Sequence, residues 1–180
     1  VSPMDLSTRR LRLTCLTAAD APALFAYRSH PKVSRYQTFE PSDLGDAERF
    51  LSSILHAPFG DPGSRVQLGI RDTDSGELLG DLSVHFKSDE PCLAEIGVTV
   101  APSHQRRGIA IEAAKALIGH LFQAADTRRV IASIDPRNKA SAALLRRLGF
   151  RMEAHFRESL WFKSEWVDDM VFAMLKRDWA

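Results

Sequence analysis

Leu11, Leu13 and Cys15 alternate with Arg12 and Thr14, a period of two that predicts a strand with one buried face. The period then lengthens. Apolar residues over 21–27, behind Thr17 and Asp20 as candidate caps, predict a helix that stops at His30-Pro31, because the residue before proline avoids helical geometry. Leu44, Ala47, Phe50, Leu51, Ile54 and Leu55 recur at helical spacing and predict a second helix, capped by Ser42 or Asp43 and closed by Pro58.

The middle of the chain returns to strand periodicity. Residues 66–70 and 78–86 predict an antiparallel hairpin around Asp74-Ser75-Gly76. Residues 93–100 predict a further strand ended by Pro102, with Glu95, Gly97 and Thr99 on one face and Ala94, Ile96, Val98 and Val100 on the other. From Gly108 onward, Ala110, Ala113, Ala114, Leu117, Ile118, Leu121 and Phe122 form one apolar helical stripe. A short buried strand over 130–134 follows, then a helix over 139–148 with Gly149 placed as a left-handed C-terminal cap. Residues 151–162 and 166–175 read as two last strands around Lys163-Ser164-Glu165. This order predicts an α/β (α+β) fold. No repeat, low-complexity segment or linker divides it, so a single domain over 1–180 is expected.

Composition removes function classes rather than naming one. A formal charge of +1 gives no global attraction to nucleic acid or to an anionic membrane. Cys15 and Cys92 fit neither a disulfide framework nor a zinc site, so reduced thiols and no metal are expected. No apolar run is long enough to cross a bilayer and the first ten residues are polar, which makes a cytoplasmic location the expectation.

The chemistry concentrates in a strand–loop–helix unit, in which the 93–100 strand leads through residues 101–107 to the helix opening at Gly108. Backbone N–H groups at a helix N-terminus lack internal partners and sit at the positive end of the helix dipole, so they suit a pyrophosphate. Gly108 and Ala110 allow close approach, and Arg106 and Arg107 add positive charge, although the same residues also suit a solvated loop. Neither a P-loop nor a Gly-x-Gly-x-x-Gly fingerprint follows any strand.

Gln105-x-x-Gly108-x-Ala110 resembles the Arg/Gln-x-x-Gly-x-Gly/Ala signature of the Gcn5-related N-acetyltransferase (GNAT) superfamily. Ala94-Glu95-Ile96-Gly97-Val98, Asp135-Pro136-Arg137-Asn138-Lys139-Ala140-Ser141, Leu148-Gly149-Phe150 and Glu165-Trp166-Val167-Asp168 are similar to its RimJ/RimL-type branch, a likeness running from about Leu11 to Trp179. Two positions depart from the common pattern: Ala110 stands where many relatives have glycine, and Lys163-Ser164 replaces a turn that often contains one.

The resemblance implies a GNAT fold, a mixed and mostly antiparallel sheet flanked by helices and splayed between its fourth and fifth strands, with acetyl-CoA in the cleft. It implies that backbone groups of Val98 and Val100 pair with the pantetheine arm and that Gln105, Arg106, Arg107, Gly108, Ile109 and Ala110 form the pyrophosphate loop. Asn138 is then expected on the cofactor arm, and Ser141 near the sulfur as proton donor to the leaving thiolate. Lys139 or Arg147 is a candidate for the nucleotide 3′-phosphate.

The implied reaction is direct attack of a neutral amine on the thioester, with a backbone N–H near Val98 as oxyanion donor. Glu95 is the first candidate for the base, against a paired or solvent-facing strand acid, and His85 and His155 are weaker candidates. Asp168, preferred over Asp169 because the resemblance favours it, is the candidate for holding the acceptor. The expected acceptors are a protein N-terminal amine, an amino acid or another small amine. Monomer and homodimer both stay open. A CoA-sensing module without turnover, or a ribosome- or RNA-associated protein, is the alternative.

Overall fold

The chain enters the sheet earlier than its alternation predicts, because Asp5–Ser7 (β1) pairs antiparallel with Leu11–Cys15 (β2) through the register Leu6↔Leu13. β1 is three residues long with one half-buried position, too short for a period to show. The computed structural model describes residues 4–54, 58–90 and 92–179. Leu55, expected at the end of the second helix, lies outside the described residues.

Ala21–Arg28 (α1) follows a single 3-10 turn in which Thr17 and Asp20 cap one another, as in a capping box. His30-Pro31 does more than end α1. The His30 ring accepts the Lys32 N–H and starts a one-turn helix, Pro31–Ser34 (α2), that the periodicity does not predict. Leu44–Ile54 (α3) begins with Asp43 accepting the Asp46 N–H at 2.8 Å, and buries Ala47 and Leu51.

The hairpin Arg65–Asp72 (β3) and Leu78–Phe86 (β4) leads to Leu93–Val100 (β5), with β3, β4 and β5 all antiparallel. Ile109–Ala124 (α4) buries Ile109, Ala113, Ala114, Leu117, Ile118, Leu121 and Phe122, so the predicted stripe holds except that Ile109 is buried at its start and Ala110 is half-buried. Arg129–Ile134 (β6) precedes Lys139–Leu148 (α5), whose end is closed by Gly149 at φ +94, with Gly149 and Phe150 N–H groups returning to the Arg146 and Leu145 carbonyls. Arg151–Phe162 (β7) and Glu165–Leu175 (β8) form the last hairpin.

These strands make one eight-stranded sheet in the order β1-β2-β3-β4-β5-β6-β8-β7, in which only β5 and β6 run parallel. α4 and α5 cover one face with the larger core, including Leu68, Leu82, Ile96, Val130 and Phe172. α1 and α3 cover part of the other around Leu24 and Leu51. Each such buried leucine or phenylalanine contributes about 1.5–3 kcal/mol of transfer free energy, so the two apolar layers hold the sheet from both sides.

The functional consequence lies between β5 and β6. β5 pairs with β4 from Ala94 to Val100 with no register shift, yet pairs with β6 only from Leu93 to Glu95. β6 continues alongside β8 to Ile134↔Met170. The second halves of the two central strands therefore part, and the sheet opens where its two parallel strands meet.

Candidate active site

Two cavities meet in that opening. One, about 520 Å³, lies between the sheet and residues 36–39 together with α3, and its floor includes Ser83, Glu95, Gly97 and Ser133. The other, about 450 Å³, lies between the N-termini of α4 and α5. Both are lined by Tyr36, Gln37, Val98, Thr99, Asn138, Ser141 and Leu144, so the two cavities adjoin at Ser141 and Val98. Their volumes fall in the range of small-molecule sites.

The smaller cavity is built of unpaired backbone donors. The Ala101 N–H bonds to the Leu79 carbonyl on β4, so alternation along β5 turns the backbone groups of Val98 and Val100 to the open side, where β6 has left. At α4 the first helical bond is Glu112 N–H to the Gly108 carbonyl, which leaves the N–H groups of Ile109, Ala110 and Ile111 without helical acceptors. Gly108, the N-cap, supplies no capping side chain and adopts φ +76, a left-handed conformation that glycine takes without cost. Gly108, Ile109, Ala110 and Ile111 all line the cavity, as do Arg106, Arg137, Lys139 and Arg147. An anion placed there meets the positive end of the helix dipole and a cluster of cations.

Two residues of the expected loop also tie it to its neighbours. The Gln105 side chain lines the same cavity but donates to the Val100 carbonyl at 3.0 Å, which ties the loop to β5. Arg107 does not line it, and its carbonyl accepts from Arg10 Nη1 at 3.1 Å. Arg10 also meets Glu112 at 2.7 Å, while the Thr8 hydroxyl donates to Glu112 at 2.6 Å. The β1–β2 turn thus braces the first turn of α4, and burial of Glu112 is outweighed by these bonds, which hold its carboxyl below the usual range. No local sequence signal links Arg10 to Glu112.

Asn138 caps α5 by accepting the Ser141 N–H at 3.1 Å. That bond fixes the first turn and leaves the Ser141 hydroxyl at the junction of the two cavities. Beneath the larger cavity, Asp81 is 1% exposed and accepts from Arg28, Gln67 and the Tyr27 hydroxyl. Burial and the Asp81 charge push the Tyr27 hydroxyl up, so it stays protonated and donates. Arg28 also donates to Gln37 at 2.9 Å, carrying the network into the cavity wall. Sequence reasoning missed this group; its one signal is an acid between Leu79-Gly80 and Leu82 in the first half of β4.

Glu95 lines the larger cavity, but its Oε2 lies 2.5 Å from Lys87 Nζ and 4.0 Å from His85 Nδ1. Burial, then the Arg65 and Lys87 charges, push His85 down. Asp168 is not brought to either cavity. Alternation on β8 points Val167 and Asp169 to the larger one, whereas Asp168 accepts the Glu158 N–H at 2.9 Å and lies 2.7 Å from His155 Nε2. His155 stays with it and lines neither cavity. Asp135 lines the larger cavity, where burial is outweighed by hydrogen bonds from Arg137 that hold its carboxyl low.

Cys15 and Cys92 are both free and exposed. Among the described residues no helix is long and apolar enough to cross a membrane, and no group of three or more His, Cys, Asp or Glu could hold a metal ion.

The comparisons agree with this architecture. The family model of the acetyltransferase (GNAT) domain matches residues 10–151. The uncharacterized N-acetyltransferase p20 of Bacillus licheniformis is 30% identical over 176 residues, covering 97% of this chain and 98% of that protein. The ribosomal protein uS5-alanine N-acetyltransferase of Escherichia coli strain K12 is 30% identical over 121 residues, 66% of this chain and 61% of its own length. The structure of RimL, a ribosomal L7/L12 alpha-N-protein acetyltransferase in complex with coenzyme A, superposes with a TM-score of 0.83 at 21% identity, covering 96% of this chain and 98% of that one, which shows a common fold. With most of its length matched by the domain and by a full-length relative, the chain belongs to the GNAT acetyltransferase family, whose acetyl donor is acetyl-CoA.

Proposed function

We propose that this chain moves the acetyl group of acetyl-CoA to a primary amine by direct attack within a ternary complex. The observation that carries the reading is the meeting of two cavities at Ser141 and Val98. One is lined by backbone donors and cations suited to a phosphorylated cosubstrate. The other opens on the opposite face of the sheet and suits an acceptor.

In this reading the α4 N-terminus receives the pyrophosphate, and Lys139 or Arg147 an outer phosphate. The pantetheine arm extends along the free edge of β5 as an added strand, bonding to Val98 and Val100. The thioester then lies beside Ser141, with the Val98 N–H as oxyanion donor. Of the ammonium's three protons, one goes to a carboxylate of the acceptor cavity before attack. One stays on the amide nitrogen, and one passes through the Ser141 hydroxyl to the departing sulfur, so the serine gains one proton and gives one.

The names of two relatives, which act on ribosomal proteins, support a protein N-terminal amine as the acceptor. The test is release of free thiol from acetyl-CoA by the purified chain, with an alanine-initiated hexapeptide and free alanine as acceptors. Amine-dependent release with either supports the transferase reading, and a preference for the hexapeptide supports the N-terminal acceptor. Acetyl-CoA binding without release to either amine contradicts it.

A further inference from the structure

Three carboxylates line the acceptor cavity, Glu95, Asp135 and Asp169, and two of them already hold a cation. Glu95 has Lys87 at 2.5 Å. Asp135 is bonded by Arg137 at 2.7 Å, and Arg137 in turn meets Glu165. An acceptor ammonium at either carboxylate would share a charge that a resident cation already compensates, so its attraction is weaker there. Asp169 differs. Its Oδ1 accepts the Ser133 hydroxyl at 2.5 Å, and among the described residues no Lys, Arg or His nitrogen lies within 4.0 Å of it and Oδ2 has no hydrogen-bond partner.

Its position fits the same role. Met170, Phe172 and Met174 of β8 belong to the core beneath α4 and α5, so Asp169 faces the opposite side of the sheet, as does Ser133 against Val130 and Ala132 on β6. Ser133 and Asp169 both lie beyond Glu95↔Ile131, the last pair before β5 and β6 separate. They therefore flank the opening from the acceptor side, while Ser141 reaches the same cavity from α5.

We propose that Asp169 is the carboxylate that binds the acceptor ammonium and takes its first proton, a role that rests on the transferase reading above. The ammonium is the cation that the site lacks. An N–H bond breaks as an O–H bond forms on Asp169 Oδ2, and the freed nitrogen pair attacks the thioester carbon. The Ser133 hydroxyl holds the carboxylate toward the opening. Lys87 and Arg137 stay engaged with Glu95 and Asp135, so the two other acids of the cavity keep their charges compensated. The consequence is selection for amines that arrive protonated over neutral nucleophiles such as alcohols.

The test uses the full chain with Asp169→Asn and Asp169→Glu, the alanine-initiated hexapeptide and free alanine as acceptors, and calorimetric titration of acetyl-CoA. Asp169→Asn is expected to lower kcat/KM by about 100-fold or more, the scale of a lost general base, with the acetyl-CoA Kd within about twofold of wild type. Asp169→Glu, which restores a carboxylate, is expected to recover at least about tenfold of that loss. Asp169→Ser carries the same expectation as Asn if the first variant does not fold. Wild-type turnover with unchanged kcat/KM in the neutral variants overturns the assignment and leaves the transferase reading standing. Acetyl-CoA binding with no wild-type turnover of either amine overturns both.

Discussion

Lys163 Nζ lies 2.5 Å from Glu40 Oε2 and 2.7 Å from the Ser34 carbonyl, fastening the tip of the β7–β8 hairpin to the end of α2 and to the segment that follows it, 123 residues away from Lys163 at Glu40. Residues 36–39 and Phe162, on either side of this fastening, line the larger cavity. Lys163 adopts φ +47, a conformation that costs a lysine more than it would cost glycine. The departure from glycine seen in the sequence thus places a cation where it can hold the cavity wall. Lys163→Gly is expected to raise the acceptor KM several-fold and to leave the acetyl-CoA Kd unchanged. An exposed pair of this kind contributes at most about 1 kcal/mol, and relief of the left-handed backbone offsets its loss, so Tm should barely move. Steady-state kinetics beside a thermal melt checks both.

Asn138 and Ser141 separate structure from chemistry. Asn138→Ala removes the α5 cap and is expected to cost about 1 kcal/mol of stability while also weakening acetyl-CoA binding. Ser141→Ala keeps the capped N–H, so its stability and acetyl-CoA affinity should match wild type while kcat falls by at least about tenfold. Denaturant unfolding and single-turnover kinetics distinguish the two variants.

The Asp81 network bears on stability more than any surface ion pair. Asp81→Asn leaves Arg28, 5% exposed, without its counter-charge, and is expected to cost about 3–5 kcal/mol. At about 2–4 °C per kcal/mol for a chain of this size, Tm falls by roughly 10 °C in a melt at neutral pH.

Acid sensitivity follows from Asp20. Its burial raises the carboxyl pKa, but Arg71, bonded at 2.7 and 2.9 Å, and the Thr17 N–H outweigh it and hold the group low. A group whose native pKa lies below its unfolded value stabilises the fold above that unfolded value, about 3.9, and loses this as pH falls through the native one. Tm should therefore drop below about pH 4. Asp20→Asn should flatten that drop while lowering Tm at pH 7.

The long periodic elements were legible in the sequence because their own residues specify them. Lys139–Leu148 is the span the pattern predicts, and Gly149 closes it as a left-handed cap. The helix opening at Gly108 was legible in the same way, while the left-handed conformation of that residue came only with the structure. β1 and α2 were not legible, since three- and four-residue elements owe their form to neighbours. The choice between Asp168 and Asp169 was hidden for another reason. Alternation says that they face opposite ways, and only the placement of β8 against β6 says which way is the opening. Likewise, Lys87 beside Glu95 and Arg10 beside Glu112 are contacts across strands and turns that no local spacing announces.

The proposed function puts acetyl-CoA in the opening between β5 and β6, at the α4 N-terminus. Thermal unfolding of the purified chain with acetyl-CoA, CoA or ATP tests it most directly, because a ligand that binds only the folded state raises its stability. Acetyl-CoA and CoA are expected to raise Tm where ATP does not, and Gly108→Trp, which fills the cavity at the α4 N-terminus, is expected to abolish the rise. An unchanged Tm at saturating acetyl-CoA, or an equal rise in Gly108→Trp, would contradict the account.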